Sequence, residues 1–261
     1  MHLTEITDLT TPSLDIYRQL RDKAFSTDNS FIADSPKVVN ILLETPIKVK
    51  SLLATKEYYE EFEELISCKN IPHLFVADKK VMESIVGHKI HHNCMMHGIR
   101  PDETGIDELG QQIIMLDEIS STENIGSIAR SAAALGVDSY LLPKQGPHPF
   151  NRRALRVSMG LASRLKINQY NDIFVTLKTL HAKGYKIFAA EVTPDATPLS
   201  EIKVPGKWVL LMGHEGKGLS QEVLDACDEA VQIEMEENIK SFNVGVAASI
   251  MMYHFKNHCS L

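Results

Sequence analysis

Residues 208–219 read WVLLMGHEGKGL, an apolar run that breaks into a loop containing three glycines. The run Trp208–Met212 is typical of a fully buried strand in a parallel sheet. Three glycines around a His-Glu pair predict a loop that turns sharply and exposes backbone amides. The spacing fits neither a P-loop nor the GxGxxG dinucleotide fingerprint. Because α/β proteins bind ligands where strands end, this loop is a candidate binding site, with Glu215 as its carboxylate.

The composition fits a folded protein of one large or two smaller domains. The chain has 261 residues, of which 44% are hydrophobic and 23% charged. No apolar run approaches the roughly 20 residues of a membrane span, and the first residues do not resemble a signal or transit peptide. Four dispersed cysteines form no CxxC pair (Cys68, Cys94, Cys227, Cys259). We therefore expect a reduced, cytoplasmic protein that has no membrane partner.

Charge is distributed unevenly along the chain. The net charge of −7 argues against a nucleic-acid partner when taken alone. However, nine basic residues and one acid, Asp172, lie between Lys144 and Lys186, whereas eleven acids lie between Glu191 and Glu237. The basic segment is either a phosphate-binding face or a set of solvated helix faces.

Alternating strand and helix patterns predict an α/β protein with a mostly parallel, two-sided sheet. Residues 1–100 are expected to form a small α/β domain that recognises or positions a substrate, beginning with an amphipathic helix through Ile16, Tyr17, Leu20 and Ala24. Residues 101–110, rich in polar and turn residues, are the predicted linker. Residues 111–261 then form the second domain, with a helix expected over 152–163.

Histidines and a cysteine cluster just before the predicted linker, at His88, His91, His92, Cys94 and His97. Their spacings fit no common zinc-finger pattern, and no second Cys/His pair complements them. A polar turn is therefore favoured over a zinc site, and no metal is expected.

Two further motifs are ambiguous when each is taken separately. Asn124 and Arg130 lie six positions apart in a small-residue helix that Asn124 begins, where both could reach one cleft, or could be an N-cap and a surface arginine. Ser241 and Asn243 precede a second small-residue helix, which a cap and close helix packing would explain without any function.

The three motifs occur in an order that is specific. Asn-x-Gly-x-x-x-Arg from Asn124, Gly-x-Glu-x-x-Gly-Leu from Gly213 and Ser-x-Asn-Val-x-x-Ala from Ser241 together resemble the SpoU (TrmH-like) branch of the SPOUT RNA ribose 2′-O-methyltransferases. The likeness covers Ile113 to Phe255 and includes Arg156–Gly160. It implies a C-terminal deep trefoil knot, an obligate homodimer and S-adenosylmethionine as cofactor. The N-terminal domain is similar to the ribosomal-protein-like α/β/α substrate-binding domain that often precedes this core.

The resemblance also implies the roles of particular residues. Its catalytic cluster matches Asn124, Arg130, Glu215, Ser241 and Asn243. Its cofactor contacts match Gly213, Ile233 and Phe242, with Met212, Met235 and Val244 nearby. An arginine is a weak base, so Arg130 is expected to orient the ribose hydroxyl and bind the adjacent phosphate; whether it also takes the proton stays open. Within the basic segment, Arg152, Arg153 and Arg156 are the expected RNA contacts.

The chain departs from the family pattern in three places, of which Phe242 in place of the usual Leu is a mild change. Ser121-Thr122 stands where the family has Asp-Pro, and Glu234–Glu237 brings three acids at or beside the cofactor loop. The leading hypothesis is a ribose 2′-O-methyltransferase acting on RNA, with ribosomal RNA favoured over transfer RNA because of the N-terminal domain. The alternative is a non-catalytic RNA-binding or assembly protein that keeps the knotted fold, and the acidic loop is the feature in its favour.

Overall fold

The structure is a computed structural model that describes residues 1–19 and 28–259. It divides into two compact units: unit 1 comprises Met1–Asp102 and Phe150–Ser163, and unit 2 comprises Glu103–Pro149 and Arg164–Leu261. Of the predicted N-terminal helix, Leu20 and Ala24 lie outside the described residues. No described helix is both long and apolar enough to cross a membrane.

The described part of the chain contains twelve strands and ten α-helices. The strands are β1 Thr4–Glu5, β2 Ser30–Asp34, β3 Lys48–Ala54, β4 His73–Val76, β5 Cys94–Ile99, β6 Gln112–Leu116, β7 Ser139–Pro143, β8 Lys166–Tyr170, β9 Lys186–Ala190, β10 Thr197–Pro198, β11 Trp208–Met212 and β12 Glu229–Gln232. The helices are α1 Asp15–Arg18, α2 Pro36–Leu43, α3 Lys56–Glu61, α4 Glu63–Ser67, α5 Lys79–Val86, α6 Thr122–Leu135, α7 Arg152–Val157, α8 Ile173–Ala182, α9 Gln221–Asp225 and α10 Val244–His258.

Unit 1 contains a mixed five-stranded sheet in the order β1-β4-β3-β5-β2. β4 runs parallel to β1 and β3, whereas β5 runs antiparallel to β3 and β2. Asp78 caps α5 by accepting a hydrogen bond from the Val81 amide at 2.8 Å, and Gly87 ends that helix at φ +77°. Unit 1 therefore combines a mixed sheet with short helices.

Residues 150–163 pack with unit 1, whereas the sequence predicts them as part of the second domain. Arg152 and Arg156 both form ion pairs with Asp34 at the end of β2. The ring of Phe150 meets that of Phe31 edge-on, with centroids 5.0 Å apart. Charge pairing and aromatic packing thus hold the segment to the first sheet, although the chain returns here from unit 2.

The helix predicted over 152–163 is shorter in the structure. It ends at Val157 because Met159 and Gly160 have φ values of +54° and +81°. A side chain at Gly160 would lie 3.1 Å from the carbonyl oxygen of Val38, so the backbone there passes close to α2. The predicted linker also differs, since residues from Glu103 onward belong to unit 2 and the Thr104 amide donates to the carbonyl of Ile167 at 2.7 Å.

Unit 2 contains a seven-stranded sheet in the order β10-β12-β9-β11-β6-β7-β8, with every neighbouring pair parallel. β11 lies at the centre and all five of its residues are buried, which confirms the predicted buried strand. Its Val209 and Leu211 pack in a cluster with Leu177 of α8. Trp208 instead meets Phe255 of α10, with ring centroids 5.0 Å apart. Since successive side chains of a strand point to opposite faces, helices cover both faces of this sheet.

Candidate functional site

A cavity of 520 Å³ lies in unit 2 where β9, β11 and β12 end and α10 begins. Its volume is within the roughly 300–1,000 Å³ of small-molecule and cofactor sites. The carboxyl ends of parallel strands at the middle of an α/β sheet are the usual position for such a site. All six predicted cofactor residues line it: Met212, Gly213, Ile233, Met235, Phe242 and Val244.

The loop after β11 needs its glycines for space as well as for conformation. A Cβ at Gly213 would lie 2.8 Å from the carbonyl carbon of Gly218 and from the amide of Leu219. Gly218 has φ +67°, and a Cβ there would lie 2.3 Å from the Glu191 carboxylate. Inside the loop, Nδ1 of His214 accepts the amide of Gly216 at 2.9 Å. The loop is therefore folded tightly back on itself at the mouth of the cavity.

Glu191 is a cavity residue that we did not predict. It follows β9 directly, lines the cavity and accepts the Leu219 amide at 2.8 Å, so it ties the glycine loop to the neighbouring strand end. Ala247 and Met251 of α10 were also not predicted to line the cavity. For Glu191 a signal was present, since an acid directly after a buried strand lies at the ligand-binding edge of a parallel sheet.

Three of the predicted catalytic residues form one chain of hydrogen bonds. Nδ2 of Asn243 donates to Oδ1 of Asn124 at 3.1 Å, and Nδ2 of Asn124 donates to Oε1 of Glu215 at 2.9 Å. Oδ1 of Asn243 accepts the amide of Gly245 at 3.0 Å, which fixes the orientation of that side-chain amide. Because a carboxylate only accepts and a backbone amide only donates, every bond in this chain has a fixed direction.

Only one of the two asparagines caps a helix, and that one also binds the other. Ser121 caps α6, so the interpretation of Asn124 as the N-cap is wrong, and the Asn124 side chain is left to bind Glu215. Asn243 does cap α10, and it holds Asn124 at the same time. The predicted close packing of the small-residue helices is confirmed, since Oγ atoms of Ser131 and Ser249 lie 2.8 Å apart across α6 and α10.

The carboxylate of Glu215 is held in its ionised form. Burial raises its pKa, but the hydrogen bond from Asn124 and those from backbone amides, including Ser120 and Ser121, outweigh burial, so the pKa lies below its ordinary value. The amides of Ser120 and Ser121 lie 3.4 and 3.3 Å from its oxygens, just before α6. A negative charge at a helix N-terminus is also favoured by the helix dipole.

The structure does not bring the other two predicted catalytic residues into this chain. Arg130 lies on α6 and is exposed, does not line the cavity, and its guanidinium has no hydrogen bond or ion pair within residues 1–19 and 28–259. Ser241 is exposed and lines the cavity. Among the described residues, Ser241 thus lies at the cavity without a hydrogen bond to Asn243, Asn124 or Glu215. Arg130 offers an unpaired cation outside the cavity.

The acidic run lies beside the cavity and not within it. Of Glu234–Glu237, only Met235 lines the cavity. Oε1 of Glu234 accepts hydrogen bonds from the backbone amide and the hydroxyl of Ser200. The bond from the Ser200 hydroxyl is the main reason that the pKa of Glu234 lies below its ordinary value. The carboxylates of Glu234, Glu236 and Glu237 therefore do not line the cavity.

The basic segment is largely paired with acids. Five of its nine cations form ion pairs with carboxylates: Arg152, Arg156, Lys166, Lys183 and Lys186. Arg153, the third predicted RNA contact, is exposed at the start of α7. Of the histidine cluster, His88, His91, His92 and Cys94 line one cavity of unit 1, whereas Nε2 of His97 is hydrogen-bonded to Ser30 at 2.8 Å. Within the described ranges, no group of three or more His, Cys, Asp or Glu side chains is arranged to hold a metal.

Residues 111–253, more than half of the chain, match the SpoU rRNA methylase family. The chain belongs to this family. The matched range contains every residue that lines the cavity at the end of β11 and all of the Asn243–Asn124–Glu215 chain, and it also includes Phe150–Ser163, the segment that packs in unit 1.

Relatives within and beyond this range support the assignment. A protein of Staphylococcus haemolyticus, named for the TrmH family of tRNA/rRNA methyltransferases, is 31% identical over 141 residues, or 54% of this chain. This chain spans 56% of that relative's length. A tRNA/rRNA methyltransferase of Mycobacterium bovis, described as uncharacterized, is 27% identical over 97% of this chain and 91% of its own.

Among solved structures, the AdoMet-bound rRNA methyltransferase of Sinorhizobium meliloti has a similar fold. It superimposes with a TM-score of 0.85 at 24% identity, and the match covers 98% of each chain. Both units of this SpoU-family chain therefore have counterparts in a protein of known fold.

Proposed function

We propose that this protein transfers a methyl group from S-adenosylmethionine to a ribose 2′-hydroxyl of RNA. The observation that carries the proposal is the cavity at the end of β11, which is lined by all six residues expected to contact the cofactor and bordered by the Asn243–Asn124–Glu215 chain. Met212, Ile233 and Phe242 offer apolar surface there, and the glycine loop offers backbone amides. This donor set suits a molecule with both apolar and polar parts.

The bound cofactor supplies an electrophilic methyl group, and the chain's own residues must align the acceptor. Arg130 is exposed and unpaired within the described residues, so it is available to orient a ribose hydroxyl and bind the neighbouring phosphate. Glu215, held ionised by Asn124 and two backbone amides, fixes the loop after β11 relative to the start of α6. The residues thus position reactants, and proton removal falls to Arg130 or to solvent that it orients.

We also propose the homodimer and the knotted C-terminal half that the family resemblance implies. Val246, Ile250 and Tyr253 are exposed on α10 at the spacing of one helix face, with 47%, 36% and 63% of their surface accessible. An apolar face of this kind on a helix that begins at the cavity suits a second copy of the chain. Sedimentation of the protein together with a Tyr253→Glu variant tests this, since the variant should sediment as a smaller species.

For the substrate we propose ribosomal RNA over transfer RNA, recognised through unit 1 as a ribosomal-protein-like domain, with Arg152, Arg153 and Arg156 among the contacts. The free thiols of Cys68 and Cys94 accord with a cytoplasmic enzyme. The alternative of a non-catalytic assembly protein loses its main support, because the acids of Glu234–Glu237 do not line the cavity.

Arg130→Ala gives the direct test. We expect calorimetry to find S-adenosylmethionine binding within a few-fold of the wild type, and transfer of labelled methyl groups to RNA from a deletion strain to be abolished. Lys203→Ala, an exposed cation of unit 2 outside the cavity, is the matched control. If Arg130→Ala transferred methyl groups at the wild-type rate, the role proposed for Arg130 would be refuted. If the wild type did not bind S-adenosylmethionine, the proposed function would be refuted.

A further inference from the structure

A second cavity, of 240 Å³, lies entirely within unit 1; none of the cofactor or catalytic residues assigned above lines it, whereas Arg152 and Arg156, proposed above as RNA contacts, do. We call it the Asp34 pocket. Besides Asp34, its lining includes Lys89, His91, His92, Arg152 and Arg156. The volume is below the roughly 300–1,000 Å³ of drug-sized ligand sites, which favours a small group over a whole nucleoside.

The Asp34 carboxylate orients both arginines of the pocket. Its Oδ2 accepts from Nε and Nη2 of Arg152 at 2.9 and 2.5 Å. It also accepts from Nη2 of Arg156 at 2.6 Å, while Oδ1 accepts from Nε of Arg156 at 3.1 Å. Each guanidinium therefore binds Asp34 through the edge that carries Nε and Nη2. The Nη1 groups have no hydrogen-bond partner among the described residues, so fixed donors remain free.

The pocket keeps a positive charge after this pairing. Only 6% of the Asp34 side chain is exposed. Burial raises its pKa, but hydrogen bonds and charge from the two arginines outweigh burial, so the pKa lies below its ordinary value and the group is ionised at neutral pH. Three cations, Lys89 among them, then face one carboxylate. Lys89 is exposed and takes no part in the Asp34 ion pairs.

If the ion pairs of Asp34 with Arg152 and Arg156 served only to hold residues 150–163 to the sheet, they would require neither an adjoining cavity nor a third cation, Lys89, in its lining. Planar guanidinium forks held at fixed angles are the arrangement that binds phosphate oxygens through paired hydrogen bonds. We propose that the Asp34 pocket binds one backbone phosphate of an RNA strand, with Arg152 and Arg156 donating from their free edges and Lys89 adding charge. This inference rests on the proposed function for its choice of RNA as the partner.

The test measures binding of a fluorescein-labelled 20-nucleotide single-stranded RNA of mixed sequence across a salt series. Lys89→Gln should reduce the slope of log affinity against log salt by about 0.7, the value for one lost phosphate contact. Arg156→Lys keeps the charge and a bond to Asp34 but loses the fork, so affinity should fall about tenfold with little change in slope. Lys80→Gln is the control and should match the wild type, because Lys80 is an exposed lysine of α5 that does not line the pocket.

Three outcomes separate the explanations. Wild-type affinity and slope in both pocket variants, with unchanged melting temperatures, would overturn the inference. Displacement of the RNA by 5′-AMP at an equal concentration of phosphate groups would also overturn it, because the pocket would then bind a free nucleotide. Calorimetry with S-adenosylmethionine is the independent readout: a wild type that binds RNA through the pocket but binds no S-adenosylmethionine would refute the proposed function and leave the pocket assigned.

Discussion

Replacing Gly245 with alanine tests how tightly α6 and α10 must pack to hold the site. The added Cβ would lie 2.3 Å from Oγ of Ser127 and 3.2 Å from Oδ1 of Asn243, the atom that caps α10. Because the first distance is more than an ångström short of ordinary contact, α10 must move or Ser127 must change rotamer. Overpacking of this kind costs about 1–3 kcal/mol, and a better helix propensity returns at most about 1 kcal/mol.

The second substitution in the cycle is Ser127→Ala. By itself it loses only the bond from Ser127 Oγ to the carbonyl of Asn124, 3.0 Å long, at a cost of about 1 kcal/mol or less. It also removes the clashing oxygen, and the remaining distance to Cβ of residue 127 is 3.5 Å, an ordinary contact. We therefore expect the double variant to be more stable than Gly245→Ala alone, with a coupling energy of about 1–2 kcal/mol.

Urea unfolding of the wild type, both single variants and the double variant gives this coupling directly. S-adenosylmethionine affinity, measured by calorimetry, should fall in Gly245→Ala and recover in the double variant, because Asn243 belongs to both the helix cap and the hydrogen-bond chain. Strictly additive free energies of unfolding would refute the argument that Ser127 and Gly245 set the helix separation.

Three further predictions concern single positions. Gly213→Ala should abolish S-adenosylmethionine binding in calorimetry, because its Cβ would lie 2.8 Å from backbone atoms of Gly218 and Leu219. Glu215→Gln should lower the melting temperature at pH 7; since the folded pKa of Glu215 is depressed, that difference should persist above about pH 4.5 and vanish as pH falls through the folded pKa. Asp34→Ala should destabilise the protein by about 3–5 kcal/mol in urea unfolding, because two partly buried guanidiniums lose their partner; Asp34 is likewise depressed, so wild-type stability gained from it should disappear in acid.

Part of the cavity at the end of β11 could be predicted because β11 and the loop after it follow a local sequence pattern. The strand Trp208–Met212 has the composition of a buried strand, and the glycines after it have no room for side chains. The contacts of Glu191 could not be predicted in the same way, because its partner Leu219 is 28 positions away and depends on the pairing of β9 with β11. The cap of α6 had a local signal, because Ser121 is a preferred N-cap residue that stands three positions before Asn124.

Long-range ion pairs were the main source of error. The sequence predicts Arg152 and Arg156 as RNA contacts of a basic segment and does not indicate their pairing with Asp34, which lies 118 and 122 positions earlier in the chain. Local patterns carry no information about such a partner, so both the pairing and the placement of residues 150–163 were missed. The positive φ of Met159 was equally invisible, since methionine has no preference for that conformation.

The membership of Phe150–Ser163 in unit 1 has a consequence for how the protein is made. On the ribosome, the first 102 residues emerge without the helix that supplies both cations to Asp34. The Asp34 carboxylate therefore lacks both arginine partners while a further 47 residues of unit 2 are synthesised. The chain of unit 1 is therefore complete only after β6, β7 and α6 have been synthesised, which delays the folding of this N-terminal unit.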